Sequence, residues 1–101
     1  MLRASGKTLL NKLLQLADEE LRKKIESLNE EELKVFEYFL TNVSVGTIIA
    51  LKELSAFYKI KNPKDVILKL IEYGLLEQGT GCYNLAKPIR DLLIKILGLK
   101  Q

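Results

Sequence analysis

The stretch that decides the fold is Leu70-Ile71-Glu72-Tyr73-Gly74-Leu75-Leu76, continued past Glu77-Gln78 by Gly79-Thr80-Gly81-Cys82-Tyr83-Asn84-Leu85. Its first half reads as the end of a helix closed by Gly74, because glycine most readily takes the left-handed conformation that ends a helix. Its second half reads as two short strands, 75–78 and 82–85, joined by a glycine-rich turn. Upstream, Asn62-Pro63 predicts the start of that helix: asparagine is a preferred N-cap, and proline fits the first position, whose N–H has no helical partner. Val66, Ile67, Leu70 and Tyr73 then share one side of the helix, while Asp65, Leu68, Lys69 and Glu72 share the other.

Further toward the N-terminus, Asn29-Glu30-Glu31-Glu32 predicts a capped helix running to about Thr41. Glu32 stands at N3 of a capping box, Leu28 can staple onto Leu33, and three acids suit the positive end of the helix dipole. Leu33, Phe36 and Leu40 form its inward stripe, with Val35 and Phe39 beside them. Val43-Ser44-Val45-Gly46 reads as a loop and Thr47-Ile48-Ile49-Ala50 as a short β-prone stretch. Residues 51–58 follow as a short helix presenting Leu51, Leu54 and Phe57 or Tyr58, and Lys59-Ile60-Lys61 as a turn with one apolar anchor. At the ends, residues 5–27 read as one long amphipathic helix, and Pro88 opens a last helix to Leu97, stopped by Gly98.

This order resembles the winged helix-turn-helix family, including its small archaeal and bacterial members. The likeness rests on residues 70–76 and 79–85 as recognition-helix end and wing, and on 49–60 as the preceding strand, helix and turn. It covers residues 29–85, and the turn Tyr58-Lys59-Ile60 departs from the family by carrying no small residue or glycine. The expected fold is therefore α+β and mostly helical. A core over 29–85 carries a two- to three-stranded sheet, with residues 1–28 as an N-terminal helix and 86–101 as a C-terminal one, in one domain. The resemblance implies a helix able to enter the major groove and a wing able to touch an adjacent groove.

Composition excludes several classes. The chain has 101 residues, 48% of them hydrophobic and 29% charged, the balance of a globular protein. No histidine is present, which removes the commonest general base and metal ligand. The single cysteine, Cys82, cannot pair internally and is expected to be a small buried apolar residue. No enzyme activity, cofactor or metal is expected. Gly6-Lys7-Thr8 is similar to the end of a P-loop, but Met1 stands where that motif needs its first glycine. The opening Met1-Leu2-Arg3-Ala4-Ser5-Gly6-Lys7 lacks the apolar run of a signal peptide, and no segment is long and apolar enough to span a bilayer. The reading is cytoplasmic, or nucleoid-associated if DNA is bound. Abundant Lys, Glu, Ile and Leu without Trp or His is similar to the usage of heat-loving archaea.

The net charge of +3 is not concentrated in the presumed core. Residues 1–28 hold six Lys/Arg against four Asp/Glu, and residues 29–101 hold ten against nine. Locally, Lys52, Lys59, Lys61, Lys64 and Lys69 face only Glu53 and Asp65. These five are the candidate nucleic-acid contacts, through phosphates and without sequence preference. Base reading is not expected, because the outward face of the 63–73 helix offers no Arg, Asn or Gln. The wing residues Glu77, Gln78, Thr80, Tyr83 and Asn84 carry no positive charge and suit a core sheet or a protein contact.

The end helices suggest a protein interface. Leu9, Leu10, Leu13, Leu14 and Leu21 on the first, and Ile89, Leu93, Ile94 and Leu97 on the last, leave wide apolar faces. Each large apolar side chain left uncovered forgoes about 1.5–3 kcal/mol, so a cover is required. The cover is a protein partner or a second copy of the chain; the alternative is that the two helices cover each other. Two functions are compatible with these residues. The favoured one is a non-enzymatic accessory or adaptor subunit of a replication or transcription complex, docking through its terminal helices with weak backbone contact to duplex DNA. The other is a homodimeric DNA-binding transcriptional regulator.

Overall fold

The computed structural model describes residues 6–98. The start of the first helix at Ser5 and most of the opening segment weighed as a signal peptide lie outside the described residues. Six helices and three strands follow in the order α1 (Gly6–Leu16), α2 (Glu19–Glu26), α3 (Glu30–Thr41), β1 (Ser44–Gly46), α4 (Thr47–Ala56), α5 (Pro63–Glu72), β2 (Leu76–Gly79), β3 (Cys82–Leu85) and α6 (Lys87–Leu97), among the described residues. The protein is α+β and mostly helical, and α3–β1–α4–α5–β2–β3 is compatible with a winged-helix-like arrangement.

Local chemistry explains the boundaries. At α3 the capping box is complete: the Glu32 amide donates to Asn29 Oδ1 at 2.8 Å and the Asn29 amide donates to Glu32 Oε1 at 3.0 Å. Asn62 occupies the cap position before Pro63 but makes no side-chain capping bond. Helix α5 ends in a Schellman motif. Gly74 has φ +78°, the Leu75 amide reaches the Leu70 carbonyl at 2.9 Å, and the Gly74 amide reaches that of Ile71 at 2.9 Å. Leu70 and Leu75, the apolar pair that accompanies this motif, are both fully buried.

The sheet is antiparallel in the order β1-β3-β2, with Val45 opposite Tyr83 and Leu76 opposite Leu85. Thr80-Gly81 is the two-residue turn of the β2–β3 hairpin. Leu76, Tyr83 and Leu85 turn inward onto Phe36, Phe39, Leu54, Ile67 and Leu70, which share the same buried cluster. The Phe39 and Tyr83 rings meet edge to face with centroids 6.4 Å apart.

Four expectations are corrected. The long first helix is two helices: Asp18 is extended (φ −70°, ψ 174°) and its carboxylate accepts the Leu21 amide at 2.8 Å, capping α2. Arg22 Nη2 donates to the Leu14 carbonyl at 2.9 Å and so satisfies a carbonyl near the end of α1. The predicted loop at 43–46 contains strand β1, and the β-prone stretch 47–50 is instead the first turn of α4. Ala50 and Leu54 are the inward pair of that helix, four residues apart; burying them together requires helical period, and this outweighs the weak β preference of Thr-Ile-Ile. Cys82 is half-buried, its thiol directed at Asn84 Oδ1 at 3.5 Å, rather than a core residue.

The turn lacking a glycine is closed by a residue that takes glycine's role. Lys59 has φ +57°, the one positive φ outside glycine among the described residues. The buried Ile60 sends its amide back to the Leu54 carbonyl at 3.1 Å. Gly6 has a packing reason of its own: a Cβ there would lie 2.9 Å from Glu37 Cβ and from the Glu37 carbonyl oxygen, so glycine lets α1 approach α3.

Candidate docking surface

The terminal helices cover each other. Leu9, Leu10, Leu13, Ile89 and Leu93 are buried in the chain's own core, where α1 packs on α3 and α6. Leu14, Leu21 and Ile94 are half-buried, and of the nine candidate interface residues Leu97 alone is exposed, at 50%. All of them but Ile94 and Leu97 therefore pack in or against the monomer's own core, which is the alternative cover open to them in the sequence.

The largest exposed apolar side chains lie elsewhere, on α4. Ile48 is 73% exposed, Ile49 56% and Phe57, at the C-cap, 75%. At 100° per residue, Ile48, Ile49, Lys52 and Ala56 fall within about 100° of one another, opposite the buried Ala50 and Leu54. Ile49, Lys52, Glu53, Ala56 and Phe57 line a shallow hollow on this face. Sequence reasoning missed the face because it divided 47–58 into a strand and a helix and turned Phe57 or Tyr58 inward. The inward spacing of Ala50 and Leu54 is the signal that would have found it.

The face is held from behind. Tyr38, buried on α3, donates its hydroxyl to Glu53 Oε1 at 2.5 Å. Burial first, and then the Glu53 carboxylate, raise the Tyr38 hydroxyl well above its ordinary pKa, so the phenol stays protonated at neutral pH. Its ring meets Tyr58 edge to face at 5.5 Å and Phe39 at 5.1 Å. Tyr38 thus fixes the carboxylate edge of α4 and the turn that carries Phe57.

All five candidate lysines, Lys52, Lys59, Lys61, Lys64 and Lys69, are exposed, and none belongs to the four ion pairs among the described residues. Lys52 sits within the apolar stripe of α4, and Lys59, Lys61 and Lys64 follow in the turn and the first turn of α5. The outward residues of α5, Asp65, Leu68, Lys69 and Glu72, are exposed as the helical projection predicts. The hairpin turns Leu76, Tyr83 and Leu85 inward while Glu77, Gln78 and Thr80 are exposed; Ser44 Oγ donates to Asn84 Oδ1 at 2.6 Å, and Glu77 accepts the Lys87 amide at 3.1 Å while pairing with Arg90 at 3.9 Å.

A second hollow lies between α2, the α5–β2 turn and α6, lined chiefly by Leu16, Leu21, Tyr73, Leu75, Pro88 and Leu92. No described helix is long and apolar enough to cross a membrane.

Helix α4 thus carries an exposed apolar stripe and an unpaired lysine on one side and core residues on the other. The model of one protein family, PolB1 Binding Protein 2, matches residues 29–91, more than half of the chain. The chain belongs to that family, whose name describes proteins that bind PolB1. The matched residues contain the whole α4 face, whereas much of the second hollow comes from outside them. Comparison with curated proteins gives no match.

Proposed function

We propose that the protein is a non-enzymatic accessory subunit of DNA polymerase B1 in replication, a winged-helix scaffold that docks on the polymerase through the outward face of α4. The observation that carries this reading is the exposure of Ile48 and Ile49 on α4 and of Phe57 at its C-cap, inside the residues that match the PolB1-binding family. Large apolar side chains held out in water forgo their burial energy until a partner covers them, and aromatic anchors dominate such interfaces. The buried state of the terminal helices supports α4 over them, and with it a heteromeric partner over pairing through α1 and α6.

A second reading follows from the five exposed, unpaired lysines: contact with duplex phosphates, either within the polymerase complex or as a homodimeric regulator. Asp65 and Glu72 on the outer face of α5 and the uncharged turn of the hairpin weigh against it.

Calorimetric titration of purified PolB1 with the chain tests the proposal. A complex that Phe57→Ala and Ile49→Ala each weaken about tenfold or more, with unchanged melting temperature, is the expected result. Binding of PolB1 with wild-type affinity by both variants would reject α4 as the docking face. Tight duplex binding by a symmetric dimer, with no affinity for PolB1, would favour the regulator.

A further inference from the structure

The α4 face is not simply apolar, and its charge specifies what covers it. Between residues 47 and 64 the chain carries Lys52, Lys59, Lys61 and Lys64 against Glu53 alone. Glu53 is already engaged by the Tyr38 hydroxyl. Past residue 64 the next acid is Asp65, exposed in the first turn of α5, so the corner presents four cations against one exposed carboxylate, with one cation in the middle of the stripe and three beyond its C-terminal end. The N-terminus of α5 adds the positive end of a helix dipole to the same corner. Elsewhere among the described residues Lys23, Lys34, Lys87 and Arg90 each have an acid within 4 Å, and Lys7, Lys12, Lys24 and Lys95 do not. What sets the α4 corner apart is that its four lysines fall between residues 52 and 64, beside the exposed Ile48, Ile49 and Phe57.

Two polyanions could meet four lysines. A duplex backbone would answer their charge but leave Ile48, Ile49 and Phe57 against phosphates and water, with no apolar surface to bury. A protein segment that alternates apolar and acidic side chains answers both features. Resting on the proposed function above, we infer that the part of PolB1 seated on α4 is an acidic amphipathic segment. An apolar side chain of that segment enters the hollow between Ile49, Ala56 and Phe57. Its carboxylates pair with Lys52 and with Lys59, Lys61 or Lys64. The apolar contact sets most of the affinity, and the charges set register, on-rate and salt dependence.

Zero-length carbodiimide coupling of the purified complex tests this directly, since it joins a lysine only to a carboxylate in contact with it. The expected products link Lys52 and at least one of Lys59, Lys61 and Lys64 to Asp or Glu residues that lie within one short stretch of PolB1. In parallel, Lys52→Glu and the double variant Lys59→Glu/Lys61→Glu should each weaken PolB1 binding about tenfold at 50 mM salt and flatten its salt dependence. Lys12→Glu, on α1, should change nothing. The inference is overturned if PolB1 binds but no such cross-links form and both reversals bind as wild type; the accessory reading then survives without it. It is also overturned if the reversals abolish affinity for a random 20-base-pair duplex while sparing PolB1, which assigns the lysines to phosphate. Absence of any PolB1 binding by the wild-type chain removes the accessory reading and this inference with it.

Discussion

Replacing Tyr38 by phenylalanine deletes one hydroxyl and leaves the ring, so it isolates the bond that fixes α4 to α3. The bond is 2.5 Å long, its donor is buried and its acceptor is a carboxylate. Hydrogen bonds to charged groups contribute about 1.5–3 kcal/mol. Glu53 is only half-buried and can turn toward water once released, so a value at or just below the lower end of that range applies, about 1–2 kcal/mol. For a domain of this size that corresponds to a melting temperature lower by about 5–15 °C. The raised Tyr38 pKa adds a signature. The folded state holds this proton more tightly than the unfolded chain, whose tyrosine titrates near 10.0. Its contribution is therefore complete below pH 10 and is lost as pH rises beyond it, by about 1 kcal/mol at pH 11. Thermal melts at pH 7 and urea denaturation at pH 7, 9 and 11, both followed by circular dichroism, measure the two effects. The stability gap between wild type and variant should be constant from pH 7 to 9 and narrow by pH 11. A shift below 2 °C at neutral pH, or a gap that does not close at pH 11, would refute the role given to this bond.

Other expectations concern the frame around the site. Asn29→Ala removes half of the capping box and should cost about 1 kcal/mol of unfolding free energy in urea titration, whereas Asn29→Asp should be nearly silent. Leu13→Ala should cost about 2–5 kcal/mol because the side chain is fully buried beneath α3 and α6, while Leu16→Ala, at a position 49% exposed, should stay within about 0.5 kcal/mol. Equal and small effects would return α1 to the status of a free interface. Lys59→Gly relieves a left-handed conformation at φ +57° and should raise stability by roughly 0.5–1 kcal/mol, while Gly74→Ala imposes one and should lower it by roughly 1–2 kcal/mol. Paired thermal melts read the two signs.

The legible parts of the chain were those governed by neighbours in sequence. Asn29 with Glu32, Pro63, Gly74, the Thr80-Gly81 hairpin and Gly98 are local devices, each satisfying, ending or dispensing with a backbone hydrogen bond within a few residues. They gave α3, α5, the two hairpin strands and the stop of α6. The same kind of device at Asp18, whose carboxylate caps α2, was passed over because apolar residues recur at helical spacing on both sides of it. The fold class and the absence of histidine followed from the sequence for the same reason: both are properties of local pattern and residue type.

Tertiary structure alone decided which apolar faces remain open. Leu13 and Ile89 look as available as Ile48 and Phe57 on a helical projection, since amphipathicity shows that a face must be covered without showing by what. Only the approach of α1 to α3 and α6, allowed at Gly6 by the missing Cβ, buries the first pair. Only the pairing of β1 with β3, with the Thr47 amide donating to the Gly81 carbonyl at 3.0 Å, starts α4 early enough to turn Ile48 and Ile49 outward. Those contacts join residues tens of positions apart, where burial and backbone pairing outweigh local preference. The candidate docking surface follows from them: what the core leaves over becomes available to a partner.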